Sequence, residues 1–361
     1  MRSPAVSVVV PVYDGDPALI RRCLESVWSQ EFDDLELIVV DDGSHPPLAN
    51  LLDEMGELDP RTSVIHQSNG GVSAARNTGV AASSGRFICF VDADDYLHAA
   101  FLRDALAIAE AHRCDLVLGG IRILRESGEH LWRAGGPPST NPLILPQERL
   151  RIIAADILHS SPSPDADAPL TTATNVVAVL YASELFRHVA FPVGVGHAED
   201  RIFNVGALMT AQKAAFCSDP WYTYDHTNAD SVTRSLTIGT ADQLNSTIRA
   251  LAALSVQGPD DGAAMDGRHS SLQHSAALGT LQYVQQLSAT LAAAGTLREG
   301  AQYLRGVLSE PAIASAIGSA RPTSAKSRFF KRLVSARRAR TVMALMRLAR
   351  TIDRVRAPLN R

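Results

Sequence analysis

The sequence lacks several things that would place it in a familiar class at once. No run reaches the roughly 20 uncharged apolar residues that a membrane-spanning helix needs. The N-terminus enters Val6-Ser7-Val8-Val9-Val10-Pro11 almost immediately, without a basic start or a small-residue cleavage site, so no signal peptide is expected. The four cysteines (Cys23, Cys89, Cys114, Cys217) form no CxxC pair. That argues against a zinc site and for reduced core thiols in a cytosolic protein. No GxGxxG follows the first strand, where Pro11-Val12-Tyr13-Asp14-Gly15 stands instead. The fingerprint of an NAD-type dehydrogenase is therefore missing. There is no internal repeat, which argues against a solenoid.

What is present supports a sizeable core. The chain has 361 residues, of which 46% are apolar, enough for one large domain with an appendage or for two domains. The net charge of −4 conceals an asymmetry. Residues 326–361 hold 12 basic side chains and one acid, Asp353, whereas residues 1–325 hold 22 basic and 37 acidic ones. A basic tail on an acidic body is suited to touching an anionic surface.

The first 125 residues alternate between β-rich runs and amphipathic stretches. Strands are predicted at Val6–Val12, Leu35–Val40, Thr62–His66, Phe87–Val91 and Asp115–Leu124. Helices are predicted at Pro17–Gln30, Val72–Ala82 and Ala99–His112; in the first of these Leu19, Cys23 and Val27 recur at spacing four. Strand–helix alternation with near-continuous apolar strands predicts an α/β, doubly wound, mostly parallel, Rossmann-like sheet covered on both faces. Ligands of such sheets bind beyond the carboxyl ends of the strands. Residues 126–170 are rich in Pro, Gly and Ser and read as loops around a helix near Gln147–Leu158. Order resumes near Thr174–Phe191, and from about 241 the chain reads as mainly α-helical, with helices at Asp242–Val256, Ser271–Ala294 and Leu297–Leu308. The expected division is a catalytic domain over 1–238, a helical domain over 239–325 and a basic amphipathic helix over 326–361.

Polar clusters fall at the predicted strand ends. Asp92-Ala93-Asp94-Asp95 follows Phe87–Val91, and three carboxylates so close repel one another unless protonated or neutralised. A hard divalent cation, Mn2+ or Mg2+, held together with a phosphate-bearing ligand would relieve the repulsion. A plain solvated turn is the bland alternative. Asp41-Asp42-Gly43-Ser44 after the second strand can accept hydrogen bonds from a base or ribose, or simply form an Asx turn. Gly70-Gly71 opens a helix carrying Arg76 and Asn77, a place suited to a diphosphate or a base edge. Glu199-Asp200 opens another helix, either as favourable N-terminal charge or as a general base. Trp221 and Tyr222 read as edge-strand packing, with His226 left open as a metal or phosphate partner.

Taken together, Val8-Val9-Val10-Pro11-Val12-Tyr13, Val39-Val40-Asp41-Asp42-Gly43-Ser44, Ala75-Arg76-Asn77, Phe90-Val91-Asp92-Ala93-Asp94-Asp95 and Glu199-Asp200 resemble, in order and spacing, the family 2 glycosyltransferases with the GT-A fold. The resemblance covers roughly residues 5–235. It implies an inverting, metal-dependent transferase that uses a nucleotide-diphosphate sugar, with a UDP-sugar favoured. Pro11, Val12, Tyr13 and Asp14 would line the nucleotide pocket, Asp42 would hydrogen-bond the base, and Arg76 would sit near the nucleotide. Asp92, Ala93 and Asp95 would face ribose and donor sugar, and Ser231 would lie in a loop closing over the diphosphate. Asp94, with Asp92, would hold the metal, and His226 is the candidate third ligand, because Asp225-His226 stands where many relatives carry Arg. Asp200 would be the base, supported by Glu199. The acceptor would be a glycan, a polyol-phosphate polymer or a lipid-linked species. A non-catalytic nucleotide- or sugar-binding scaffold of the same fold is the alternative.

The C-terminal stretch Arg328–Val355 is predicted as one helix. Phe330, Val334, Leu345, Leu348, Ile352 and Val355 lie on one face, interrupted at Arg337 and Thr341, with arginines largely opposite. Such a helix reads as a membrane-surface element over 326–361, which would place a cytoplasmic protein at the inner face of the membrane. It equally allows packing on the acidic body or in a homo-oligomer. The acidic body argues against nucleic acid.

Overall fold

A computed structural model describes residues 3–125, 128–132, 137–159, 173–225, 238–257, 272–294, 296–322 and 324–356. The chain divides into two compact units. The first comprises Met1–Ile157, Ser161–Gly194 and Glu199–Ser231; the second comprises Leu158–Ser160, Val195–Ala198 and Val232–Arg361.

The first unit is built on one mixed sheet. In chain order its elements are β1 (Val6–Val12), α1 (Pro17–Trp28), β2 (Leu35–Asp41), α2 (Pro46–Gly56), β3 (Thr62–His66), α3 (Val72–Ala82), β4 (Phe87–Phe90), β5 (Tyr96–Leu97), α4 (Phe101–His112), β6 (Leu116–Arg125), β7 (Gly128–Trp132), β8 (Leu143–Pro146), α5 (Gln147–His159), β9 (Val179–Ala182), α6 (Glu199–Thr210) and β10 (Lys213–Asp225). Strand order is β3-β2-β1-β4-β9-β6-β10-β5, with β7 beside β6 and β8 beside β10. The stretch β3-β2-β1-β4 is parallel, as is β6 with β10. All seven residues of β1 are buried, as expected of a β-branched strand covered on both faces. Helix α3 lies against β1 so closely that a Cβ on Gly79 would stand 2.3 Å from Val9 Cγ1.

Strand β9 was not foreseen. Its four residues run antiparallel to both β4 and β6 and join the two parallel blocks. Strand β10 differs from the expected edge strand: it is 13 residues long and lies between β6 and β5, with Trp221 and Tyr222 buried. All four cysteines are free and buried.

The second unit is helical: α7 (Ile238–Gln257), α8 (Leu272–Ala294), α9 (Leu297–Ser309), α10 (Pro311–Ser319), α11 (Ala325–Ser335) and α12 (Ala339–Arg356). A capping box starts α9, where the Thr296 hydroxyl accepts from Glu299 N–H and the Glu299 carboxylate accepts from Thr296 N–H. The single helix predicted over Arg328–Val355 is instead two. Arg337 takes a left-handed φ of 52°, its N–H reaches Val334 C=O, and Arg338 N–H reaches Leu333 C=O. This is a Schellman stop with arginine where glycine is usual, so no glycine announces it. The predicted apolar face breaks with it. Phe330 and Val334 are buried, whereas Leu345 and Leu348 are exposed. No helix among the described residues is long and apolar enough to cross a membrane.

Candidate active site

Register places the polar clusters together. Val12 pairs with Asp41 across β1 and β2, and Val9 pairs with Phe90 across β1 and β4. Asp42 and Asp92 therefore leave the sheet at the same carboxyl edge, where open α/β sheets bind ligands.

Arg76 is the hub of the site. It lies in α3, is 2% exposed, and donates from Nη2 to Asp92 Oδ1 at 2.8 Å and from Nη1 to Asp200 Oδ1 at 2.6 Å. Glu199 Oε1 lies 4.0 Å from Nη1. The guanidinium packs over the Phe191 ring at 5.3 Å, and its Nε is buried without a partner. Burial opposes its charge, but Asp200, Asp92 and Glu199 outweigh that and hold it firmly protonated. Asp200 feels the reverse balance. Burial pushes its carboxyl up to about 7, Arg76 pulls it down, and Glu199 and Asp92 push it up again. Glu199 is raised as well, chiefly by burial. Asp200 is thus a carboxylate poised near neutrality, the condition for a general base. Among the described residues nothing donates to its second oxygen, Oδ2.

The Asp92–Asp95 turn is held from below. The Tyr222 hydroxyl accepts from Asp92 N–H and donates to Asp95 Oδ2, while Asp225 N–H donates to Asp95 Oδ1 at 2.8 Å. Burial, then Asp92 and Asp94, raises Asp95 well above the carboxylate range. Expected beside the donor sugar, Asp95 is instead 1% exposed and spends both oxygens fastening the turn to β10. Arg22 of α1 adds a second brace, from Nη1 to Asp225 Oδ2 at 2.6 Å and from Nη2 to the Asp94 carbonyl at 2.6 Å. Arg22 and the Tyr222 hydroxyl were missed as site residues. No local signal in the sequence pointed to them, since their partners lie far away along the chain.

Asp42 is also more occupied than expected. Its oxygens accept from Gln67 Nε2 at 2.7 Å, Gly70 N–H at 2.8 Å and Gly71 N–H at 2.8 Å, which ties the 67–71 loop to β2. Gly43 beside it has φ 84°, and a Cβ there would stand 2.8 Å from Asn69 N. Pro11 and Val12 are buried inside β1, whereas Tyr13 is 57% exposed at the strand end. Asp14 accepts from His45 N–H at 3.0 Å. Ala93 is half-buried on the turn. His226 and Ser231 lie outside the described residues.

Among the described residues no three His, Cys, Asp or Glu side chains converge on one cation position. Asp94 and Asp92 nevertheless suit a hard cation. Arg22 reaches the Asp94 carbonyl and not its carboxylate, and the Asp94 carboxyl is raised by burial and then by Asp92 and Asp225. Asp92 keeps one oxygen beyond the one that Arg76 holds, on a side chain 35% exposed. Two carboxylates completed by phosphate oxygens are an ordinary Mg2+ arrangement.

A parallel sheet bearing Asp42, Arg76 and the Asp92–Asp95 turn at its carboxyl edge, with Glu199-Asp200 opposite, is a GT-A architecture. Its first 349 residues in complex with UDP-GlcNAc, S. aureus TarS superposes at a TM-score of 0.64 with 19% identity, covering 95% of this chain and 92% of that one. At this identity the likeness shows the fold. Residues 7–163 match the family model "Glycosyl transferase family 2". Among sequence relatives, the "Uncharacterized glycosyltransferase EpsJ" of Bacillus subtilis is 30% identical over 236 residues, 64% of this chain and 63% of that protein. The "Poly(ribitol-phosphate) beta-N-acetylglucosaminyltransferase TarS" of Staphylococcus aureus is 28% identical over 221 residues, 60% of this chain and 35% of that protein. The chain thus spans less than two thirds of the length of these relatives.

Proposed function

We propose that this chain is an inverting glycosyltransferase that moves a sugar from a nucleotide-diphosphate sugar to an acceptor hydroxyl. A UDP-sugar is favoured as donor, in keeping with the UDP-GlcNAc complex of the TarS fold neighbour. A polyol-phosphate polymer heads the acceptor classes, ahead of other glycans and lipid-linked species, because two relatives are poly(ribitol-phosphate) transferases. The observation that carries the reading is Arg76, which joins Asp92 at the donor edge to Asp200, a carboxylate poised near 7.

The chemistry follows from these positions. Asp200 takes the acceptor hydroxyl's proton on Oδ2 as the oxygen attacks the anomeric carbon, a contribution of typically 10²–10⁴-fold. Arg76 holds Asp200 by its other oxygen, so the base is oriented while its free lone pairs face the proton. Tyr13 offers an exposed ring to the nucleotide base at the end of β1. Alignment of donor and acceptor supplies much of the remaining rate. With one base and no second carboxylate required as nucleophile, a single displacement inverts the configuration. Asp94 and Asp92 would hold the divalent cation, which when bound neutralises charge on the diphosphate leaving group.

The test is Asp200→Asn. Transfer should fall by roughly 10²–10⁴-fold, while UDP-sugar binding by calorimetry stays within about twofold. Near-normal transfer with unchanged binding would remove Asp200 from the mechanism.

A further inference from the structure

Within the second unit, α11 turns Phe330, Leu333 and Val334 inward and leaves Lys326, Arg328, Phe329 and Arg332 outward. Phe329 is 55% exposed, with Arg328 beside it and Lys326 and Arg332 one turn before and after. On a helix, residues three apart are neighbours, so these cations ring the phenyl group. Next to them lies a cleft of about 620 Å³, lined by Ala320, Arg321, Pro322, Arg328, Lys331 and Arg332 among others, with no carboxylate among the described residues of its wall. Lys331 fixes that wall, donating from Nζ to Gly318 C=O at 2.8 Å and Ala320 C=O at 2.5 Å. The α12 helix carries Leu345 and Leu348 exposed, with Arg340 exposed in its first turn.

Two features must be explained together. The cleft wall brings Arg321, Arg328, Lys331 and Arg332 together with no carboxylate among its described residues, a charge suited to an anion. The exposed Phe and Leu side chains call for an apolar phase. A soluble polyanion rewards the first feature and leaves the second in water. An anionic bilayer rewards both, because an interfacial helix seats its apolar side chains at the headgroup–acyl boundary while Lys and Arg meet the phosphates. We propose that the cleft between 320–322 and α11 takes the headgroup phosphate of an anionic phospholipid, with Phe329 entering the headgroup–acyl boundary beside it. Arg328 and Arg332 face the phosphate, and Arg321 closes the far side of the cleft.

The inference stands apart from the transferase reading, since no donor or acceptor enters its test. The full chain is sedimented with phosphatidylcholine vesicles, with and without about 30% phosphatidylglycerol, at low and physiological salt. Binding should require phosphatidylglycerol and weaken with salt. Each cation near an anionic surface is worth roughly fivefold in partition, so Arg328→Gln with Arg332→Gln should lower binding roughly thirtyfold. Phe329→Ser should lower it roughly tenfold, in line with the loss of a partly buried aromatic side chain, with the melting temperature unchanged. Equal binding by wild type and the double variant would overturn the proposal. So would unchanged vesicle binding by Phe329→Ser combined with full displacement by soluble polyphosphate, which would mark a polyanion site and not a lipid site.

Discussion

Replacing Arg76 with methionine exposes the charge balance of the site. The substitution keeps much of the side-chain length but removes the guanidinium that bridges Asp92 and Asp200. Breaking a buried ion pair from one side costs about 3–5 kcal/mol. Part of that cost is avoided while Asp200 keeps its proton. The ordinary value of the group is 3.8 and its folded value is about 7. A raised acid contributes stability that is fully present below the unfolded value and is lost as pH rises through the folded one. In the wild-type chain Arg76 limits that loss by attracting the ionised form. Without it the folded value moves above 7, and the cost of ionising Asp200 is met only at higher pH. Arg76→Met should therefore be destabilised by up to about 1.4 kcal/mol more at pH 8 than at pH 5, since the variant's folded carboxyl keeps its proton over the one pH unit above the wild-type value of about 7. At about 2–4 °C per kcal/mol, the drop in melting temperature caused by the substitution should be roughly 3–6 °C larger at pH 8 than at pH 5. Circular-dichroism melts of the nucleotide-free protein at the two pH values read this directly. The same substitution should move the rising limb of the kcat/KM profile from about pH 7 to higher pH, since that limb reports the base of the free enzyme. An equal melting shift at pH 5 and pH 8, or an unmoved limb, would refute the claim that Arg76 sets the protonation of Asp200.

Two further predictions concern the Asp92–Asp95 turn. Tyr222→Phe removes the hydroxyl that accepts from Asp92 and donates to Asp95, leaving a buried carboxyl short of a partner. Denaturant unfolding should show a loss of about 1–3 kcal/mol, and a change below a few tenths would mean that the turn holds without its brace. Removing divalent cations with EDTA should weaken UDP binding at least tenfold by calorimetry, in keeping with a cation shared between carboxylates and phosphate; Asp94→Asn should make the wild-type Mn2+ response disappear. Identical binding with and without EDTA would count against Asp94 as a ligand.

Legibility differed sharply between the two halves of the sheet. β1, β2, β3 and α3 were readable within a residue or so because their apolar runs and spacing are local signals. β9 and β5 were not, since stretches of four and two residues carry no period, and their strand character comes from the neighbours they pair with. The break at Arg337 lacked the glycine that marks most left-handed stops. In the site, the acidic positions could be read because each follows a strand or opens a helix. Their bonds could not. Arg22 meets a carboxylate 203 residues away, Tyr222 meets Asp95 across 127, and Arg76 meets Asp200 across 124. Nothing within one helix turn or one strand points to those partners, so residues that look like ligand contacts in sequence, Asp42 and Asp95, prove to be largely engaged in holding loops.

That engagement changes the electrostatic argument for a cation. The crowding of Asp92, Asp94 and Asp95 alone is weak support, because the fold already answers part of it. Asp92 is paired with Arg76, and Asp95 accepts from Tyr222 and a backbone N–H. What remains is Asp94, half-buried and raised by its surroundings, with Arg22 turned to its carbonyl and to Asp225. A diphosphate arriving at this edge would meet that carboxylate, while Arg22 is already tied to Asp225 and the Asp94 carbonyl and Arg76 already serves two acids. Like charges a few ångströms apart in a partly desolvated site repel by several kcal/mol. On the proposed reading, either a cation between Asp94 and the phosphates or a proton on Asp94 would relieve this repulsion. The two are separable: a cation requirement persists from pH 6 to 8 and responds to EDTA, whereas a proton requirement ignores EDTA and weakens donor binding about tenfold for each pH unit above the Asp94 value.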